Sequence, residues 1–121
     1  MILQVVDKDF SIYKVDNLPE NILNNEYVFV GKTDSELSII SESSLVPENV
    51  LIVENGWKCF RIAEDASFEK YGMIAFLANI ISAQKTSTLV VGTYDTDYLF
   101  IKEEKFEQVK EKLVENGCTF V

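Results

Sequence analysis

Apolar positions fall into short runs separated by polar breaks, and the spacing inside the runs changes along the chain. Phe10 to Val15, Tyr27 to Lys32 and Leu37 to Glu42 are rich in β-branched and aromatic residues and are predicted strands. Thr33-Asp34-Ser35-Glu36 is the turn between the last two. In Leu37 to Glu42 neither alternating set is cleanly apolar, because Ser41 shares one with Leu37 and Ile39, and Ile40 shares the other with Ser38 and Glu42. Asn17-Leu18-Pro19-Glu20 has the form of a capping box with Pro in the first turn, and predicts a very short helix to about Asn24. Ser44 to Glu48, with Pro47, reads as a helical turn or loop, and Val50 to Glu54 as a strand. Asn55-Gly56 predicts a type I′ turn, which needs positive φ at both central positions.

Trp57 to Ala63 is the strand that leaves this turn. The period then lengthens. Ser67 can cap a helix from about Glu69 to Gln84, with Met73, Ile74, Leu77, Ile80 and Ile81 on one broad face. Thr88 to Tyr94 is a strand, Asp95-Thr96-Asp97 a tight turn and Tyr98 to Lys102 the returning strand. Glu103 to Asn116 is the clearest helix: Phe106, Val109 and Leu113 form its stripe, Glu103 and Glu104 favour its positive end, and Gly117 ends it. Cys118 to Val121 is a last short strand. From Trp57 the order is β-α-β-β-α-β, the ferredoxin-like split βαβ order. Phe10 to Glu54 repeats that order in abbreviated form. The predicted class is therefore α+β, with residues 1–55 an abbreviated half and residues 56–121 a full ferredoxin-like unit. Units this small are marginal alone and need each other to bury a core.

Composition narrows the function. At 121 residues and 13.8 kDa the chain is one ordinary domain or two very small ones, and 47% hydrophobic with 26% charged residues reads as globular. The net charge is −9, from 20 acidic and 11 basic residues, with Arg61 the only arginine. That balance repels nucleic acid and an anionic membrane surface, so neither is an expected partner. Histidine is absent, which removes the commonest acid/base group, His-containing zinc sites and the Ser-His and Cys-His nucleophile pairs. Cys59 and Cys118 are too few for a disulfide scaffold or a four-cysteine metal site. They read as buried thiols of a reducing cytosol, a single disulfide between them being the alternative. The N-terminal run Met1 to Asp7 has no basic region and no long apolar core, so it does not read as a signal peptide, and no run reaches membrane-spanning length. The chain is expected in the cytoplasm.

Two places carry candidate chemistry. Thr93-Tyr94-Asp95-Thr96-Asp97-Tyr98 crowds two carboxylates and two threonine hydroxyls into a turn between apolar strands, a setting suited to an ammonium or guanidinium group. Asp and Thr are also ordinary turn formers, and the motif alone supports that reading as well. The calcium-loop pattern, with its glycine and terminal Glu, is absent. The second place is the helix start at Ser67 to Gly72, where free backbone N–H groups favour a carboxylate and Gly72 allows close approach. Gly72 equally suits a close packing contact. Together the two places match the two charges of a free amino acid.

The same residues resemble a known family. Phe68-Glu69-Lys70-Tyr71-Gly72-Met73-Ile74-Ala75-Phe76-Leu77, followed by Gly92-Thr93-Tyr94-Asp95-Thr96-Asp97-Tyr98-Leu99-Phe100-Ile101-Lys102, resembles the small bacterial ACT-domain proteins, which pair an aromatic-x-x-x-Gly helix start with a Ser-Thr-Tyr-Asp-Thr-Asp-Tyr hairpin. Thr33 to Ile40 and Gly56 to Ile62 also fit, so the resemblance spans the chain from about Phe10 onward. It is similar in turn to the ACT modules of animal cytosolic arginine sensors. The resemblance implies a ferredoxin-like module that binds an amino acid at an interface between two modules and regulates a partner. It implies that Gly72, Met73 and Ile74 meet the ligand's backbone groups, and that Thr93, Tyr94 and Asp97 line the pocket; Asp95 joins them from the acidic turn itself. The chain departs from the pattern at Gln84-Lys85-Thr86-Ser87, a more polar turn, and at Gly92, where the family has Ser.

The expected function is a non-enzymatic regulatory module, a ligand sensor without a cofactor or metal, working as a homodimer. The alternative is a protein-interaction or oligomerisation module with a vestigial pocket. An enzyme comes third, because no nucleophile–base pair is visible.

Overall fold

The computed structural model describes residues 1–64 and 71–121. The elements in chain order are β1 (Ile2–Lys14), a 3-10 turn (Ile22–Asn24), β2 (Phe29–Lys32), β3 (Leu37–Glu42), a second 3-10 turn (Ser43–Leu45) and β4 (Ile52–Ile62). There follow α1 (Met73–Ala83), β5 (Thr88–Gly92), β6 (Asp97–Lys102), α2 (Glu103–Glu115) and β7 (Thr119–Phe120). The ferredoxin-like order thus occurs twice. It runs first from β1 to β4 with helical turns in place of helices, and then from β4 to β7 with full helices.

The chain forms two compact units, one of Met1–Asp7 with Lys58–Val121 and the other of Lys8–Trp57. In the first, the strand order is β7-β1-β4-β6-β5. β7 runs parallel to β1, with Ile2 opposite Thr119 and Leu3 opposite Phe120. β5 and β6 form an antiparallel hairpin with Gly92 opposite Asp97. Leu3, Phe60, Ile62, Leu99 and Ile101 from the strands meet Leu77 and Ile81 from α1 and Phe106, Val109 and Leu113 from α2 in one buried cluster. The stripe expected for the second helix is the face it buries. Its C-terminus is closed by Gly117, at φ 96°, and by the Cys118 N–H donating to the Leu113 carbonyl at 3.0 Å.

In the second unit the order is β2-β3-β1-β4. Tyr13, Val15 and Ile39 form the centre of a smaller core. The mixed polarity of β3 has its explanation here. Ser41 is fully buried, and its Oγ pairs with the Tyr13 hydroxyl at 2.9 Å, so a polar residue sits on the inward face already satisfied. Ser11, also fully buried, bonds to the Ser43 hydroxyl at 2.7 Å and donates to Asn55 Oδ1 at 2.5 Å.

Several expectations need correction. The chain does not reverse at Asn55-Gly56: β4 continues through both residues. A type I′ turn requires positive φ at both positions, and only Gly56 takes it, at 84°. The strand predicted from Phe10 begins at Ile2, because Ile2 and Leu3 find their partner in β7, at the far end of the sequence. The helix expected after Asn17 shrinks to a three-residue turn, preceded by Asn21 at φ 63° with no side-chain cap. The helix expected from about Glu69 is described from Met73; its predicted cap Ser67 and first residues Glu69 and Lys70 lie outside the described residues.

Candidate functional site

The turn that joins β5 to β6 is closed by its own hydroxyls. Thr93 donates to the Thr96 carbonyl through both its N–H, at 2.8 Å, and its Oγ1, at 2.9 Å. The Thr96 N–H donates back to Thr93 Oγ1 at 3.3 Å. The Thr96 hydroxyl then reaches the last residue of β4, donating to the Ile62 carbonyl at 2.7 Å. Both threonines are consumed in holding the turn, which leaves the carboxylates free of that task. Asp95 is exposed, Tyr94 stands 85% exposed, and Asp97 is half-buried.

Asp97 owes its position to its strand partner. A Cβ built on Gly92 would lie 3.1 Å from Asp97 Oδ1, closer than most real contacts. The glycine therefore gives the Asp97 carboxylate room against bare backbone. Among the described residues Asp97 has no hydrogen-bond or ion-pair partner. Arg61 does not serve as one: its Nε and Nη2 donate to Gln4 Oε1 at 3.1 and 2.9 Å, and its Nη1 donates to the Tyr98 hydroxyl at 3.1 Å. The guanidinium also lies over the Tyr98 ring, 5.9 Å from its centroid.

Gly72 caps α1 in the left-handed conformation, at φ 84°, and its carbonyl accepts the Phe76 N–H at 3.0 Å. Among the described residues a Cβ there would meet nothing within 4 Å, so the glycine answers a backbone requirement. Met73 and Ile74 are partly buried and pack on the core cluster with their side chains. Thr93, Tyr94, Asp95 and Asp97 thus gather at one hairpin, and Gly72, Met73 and Ile74 at one helix start, both in the same unit.

The cysteines are poor nucleophiles. Burial pushes the Cys59 thiol up to about 12, with Arg61 acting weakly in the other direction. Burial also raises Cys118, and both thiols are free. Among the described residues no group of three His, Cys, Asp or Glu side chains could hold a metal ion, and no helix is long and apolar enough to cross a membrane.

The sequence shows Thr96 in the acidic turn and Gly92 as a departure from the family pattern, but not that Thr96 ties the turn to β4 or that Gly92 makes room for Asp97. Thr33, which opens a polar turn as Thr93 does, was the available signal, because it marks which turn positions are structural.

Comparison with known proteins agrees with this fold. The sequence profile described as "ACT domain" matches residues 52–115. No curated protein matches the sequence. Among solved structures, a protein of Agrobacterium tumefaciens superposes with a TM-score of 0.89 at 24% identity, covering 99% of this chain and 91% of that one. A Vibrio cholerae protein of unknown function, described as a possible transport protein, gives 0.72 at 18% identity, covering 92% and 85%. The ligand-free regulatory subunit of aspartate kinase from Thermus thermophilus gives 0.66 at 9% identity, covering 93% and 94%.

Proposed function

The chain belongs to the ACT domain family, and from that premise we propose that it is a non-enzymatic regulatory module that binds an amino acid where two ACT modules meet. It consists of two ACT-like halves, the first abbreviated, and works as a cytoplasmic homodimer. The observation that carries this reading is the Asp97 carboxylate, half-buried, without a hydrogen-bond or ion-pair partner among the described residues, and set against the bare backbone of Gly92. It is a ready acceptor for a cationic group. The start of α1 at Gly72, Met73 and Ile74 takes the α-carboxylate. Thr93, Tyr94 and Asp95 shape the wall between them. Ligand contacts favour one packing of the modules over another, and the partner responds to that shift.

Titration calorimetry against the twenty amino acids tests the reading, with thermal shift as a second readout. One of them gives saturable heat, and Asp97→Ala weakens it tenfold or more, about 1.4 kcal/mol. No heat and no thermal shift with any amino acid would sink the proposal. That result would leave the interaction module with a vestigial pocket, a reading favoured by the 85% exposure of Tyr94 on the same turn.

A further inference from the structure

An outer strand of a sheet offers backbone N–H and C=O groups on its free side, and proteins blunt such edges with charges, prolines, short length or a covering element. The outer strands of this chain are treated unequally. β7 is two residues long. β2 ends in Gly31 and Lys32, both exposed. β5 matches β2 at an offset of 60 residues, Val90 facing Leu99 as Val30 faces Ile39, and Glu36 stands where Thr96 does. β5 carries no charge, but Leu89 and Val91 are half-buried and Val90 is its one exposed large apolar residue. β4 is the outer strand in the β2-β3-β1-β4 order of its unit, and its start is not blunted. Leu51, Ile52 and Val53 are 58%, 63% and 37% exposed in succession. Successive side chains of a strand point to opposite faces, so three exposed in a row leave both faces bare. The Leu51 N–H donates to the Lys14 carbonyl at 2.8 Å. Successive amides alternate in the same way, so the Ile52 N–H points away from β1 to the outer side.

We propose that the start of β4 is a docking edge for another protein, which adds an extended segment with an apolar centre and basic flanks as a strand along Leu51 to Asn55. Strand addition draws affinity from main-chain hydrogen bonds and selectivity from alternate side chains. Here the alternate side chains meet two bare apolar faces, which favours β-branched residues at the centre of the segment. The charge of its flanks follows from the neighbourhood. From Thr33 to Trp57 the chain holds Asp34, Glu36, Glu42, Glu48 and Glu54 and no lysine or arginine. Glu48 and Glu54, both exposed, bracket the apolar run. A second copy of the chain would bring the same carboxylates and a net charge of −9 to the edge, and is disfavoured. An apolar surface without a free strand would cover the Ile52 N–H and give it no acceptor. The edge shares no residue with the Gly72 helix start or the Asp97 hairpin, so the inference stands apart from the amino-acid site.

The test is an amide-resolved NMR titration of the full chain with the capped peptide Lys-Val-Thr-Val-Thr-Val-Lys. Two controls replace its central valine by proline, which cannot donate, or both lysines by glutamate. Saturable shifts at Leu51 to Asn55 are expected with the basic peptide, at least tenfold weaker with either control. Ile52→Pro removes the outward N–H while sparing the ladder to β1, and Ile52→Lys keeps the N–H but places a charge on the edge. Each weakens saturation tenfold or more, and the lysine variant carries the test if the proline variant does not fold. Val90→Lys, on β5, leaves the titration unchanged. The proposal is overturned if these amides do not saturate, if either control peptide binds as well, or if the shifts collect at Thr88 to Gly92 instead. It is also overturned if the same amides shift with protein concentration in the absence of peptide, which would give the edge to a second copy.

Discussion

Thr96→Val tests how the turn beneath Asp97 is held. The Thr96 hydroxyl donates to the Ile62 carbonyl at 2.7 Å, and valine keeps the shape while replacing that hydroxyl with a methyl. A lost hydrogen bond of this kind costs about 1 kcal/mol net, and an acceptor left unsatisfied in a buried place raises the cost towards about 2–3 kcal/mol. Thr96 is half-buried, so water reaches the carbonyl and the lower part of that range applies, about 1–1.5 kcal/mol. With a urea m-value of about 2 kcal/mol/M, the unfolding midpoint drops by roughly 0.5–0.8 M and the slope stays constant. Circular dichroism across a urea series reads this directly. Thr96→Ser keeps the donor and loses only a methyl, so its midpoint lies between the valine variant and the parent. Glu36→Gln changes the matching position of the other turn, where no such bond exists, and shifts stability by less than about 0.5 kcal/mol. The reasoning fails if Thr96→Val unfolds with the parent, or if the serine variant loses as much as the valine one.

Two further outcomes follow from the core. Leu113→Ala empties a fully buried position between α2 and the strands, and costs about 2–5 kcal/mol, a fall in Tm of roughly 10 °C or more by calorimetry. Cys59 is raised from its ordinary 9.0 to about 12, so the folded chain keeps its proton after the unfolded chain has lost it. Its contribution is complete below pH 9 and is lost as pH rises towards 12, and Cys59→Ala flattens that alkaline decline in urea midpoints measured against pH.

What the sequence showed depended on how far away each residue's partner lies. The second helix was legible because Phe106, Val109 and Leu113 declare a face by spacing alone. The β5–β6 hairpin was legible because its turn and both its strands are neighbours. Ile2 and Leu3 were not, because their pairing with Thr119 and Phe120 is set across the whole chain and nothing local announces it. Asn55-Gly56 misled for the opposite reason: it signals that the backbone tolerates positive φ, and the structure spends that tolerance on Gly56 within a continuous strand. At the candidate site, residue types showed which groups could bind charge. The separation of labour, threonines holding the turn and Asp97 beside Gly92 without a partner among the described residues, is set by the fold and not by residue type.

The parallel pairing of β1 with β7 also sets an order of events. A strand near the start of the chain cannot complete its neighbours in the sheet until residues 119 and 120 have been synthesised and released. Most of the contacts that define the β2–β3 unit, by contrast, lie within Lys8–Trp57 and can form while the ribosome is still adding α1. Long-range closure of this kind slows folding and leaves an apolar edge waiting. Ile2 and Leu3 are that edge. During translation they are the segment most in need of a chaperone, and a stall anywhere before residue 119 leaves them without their last partner.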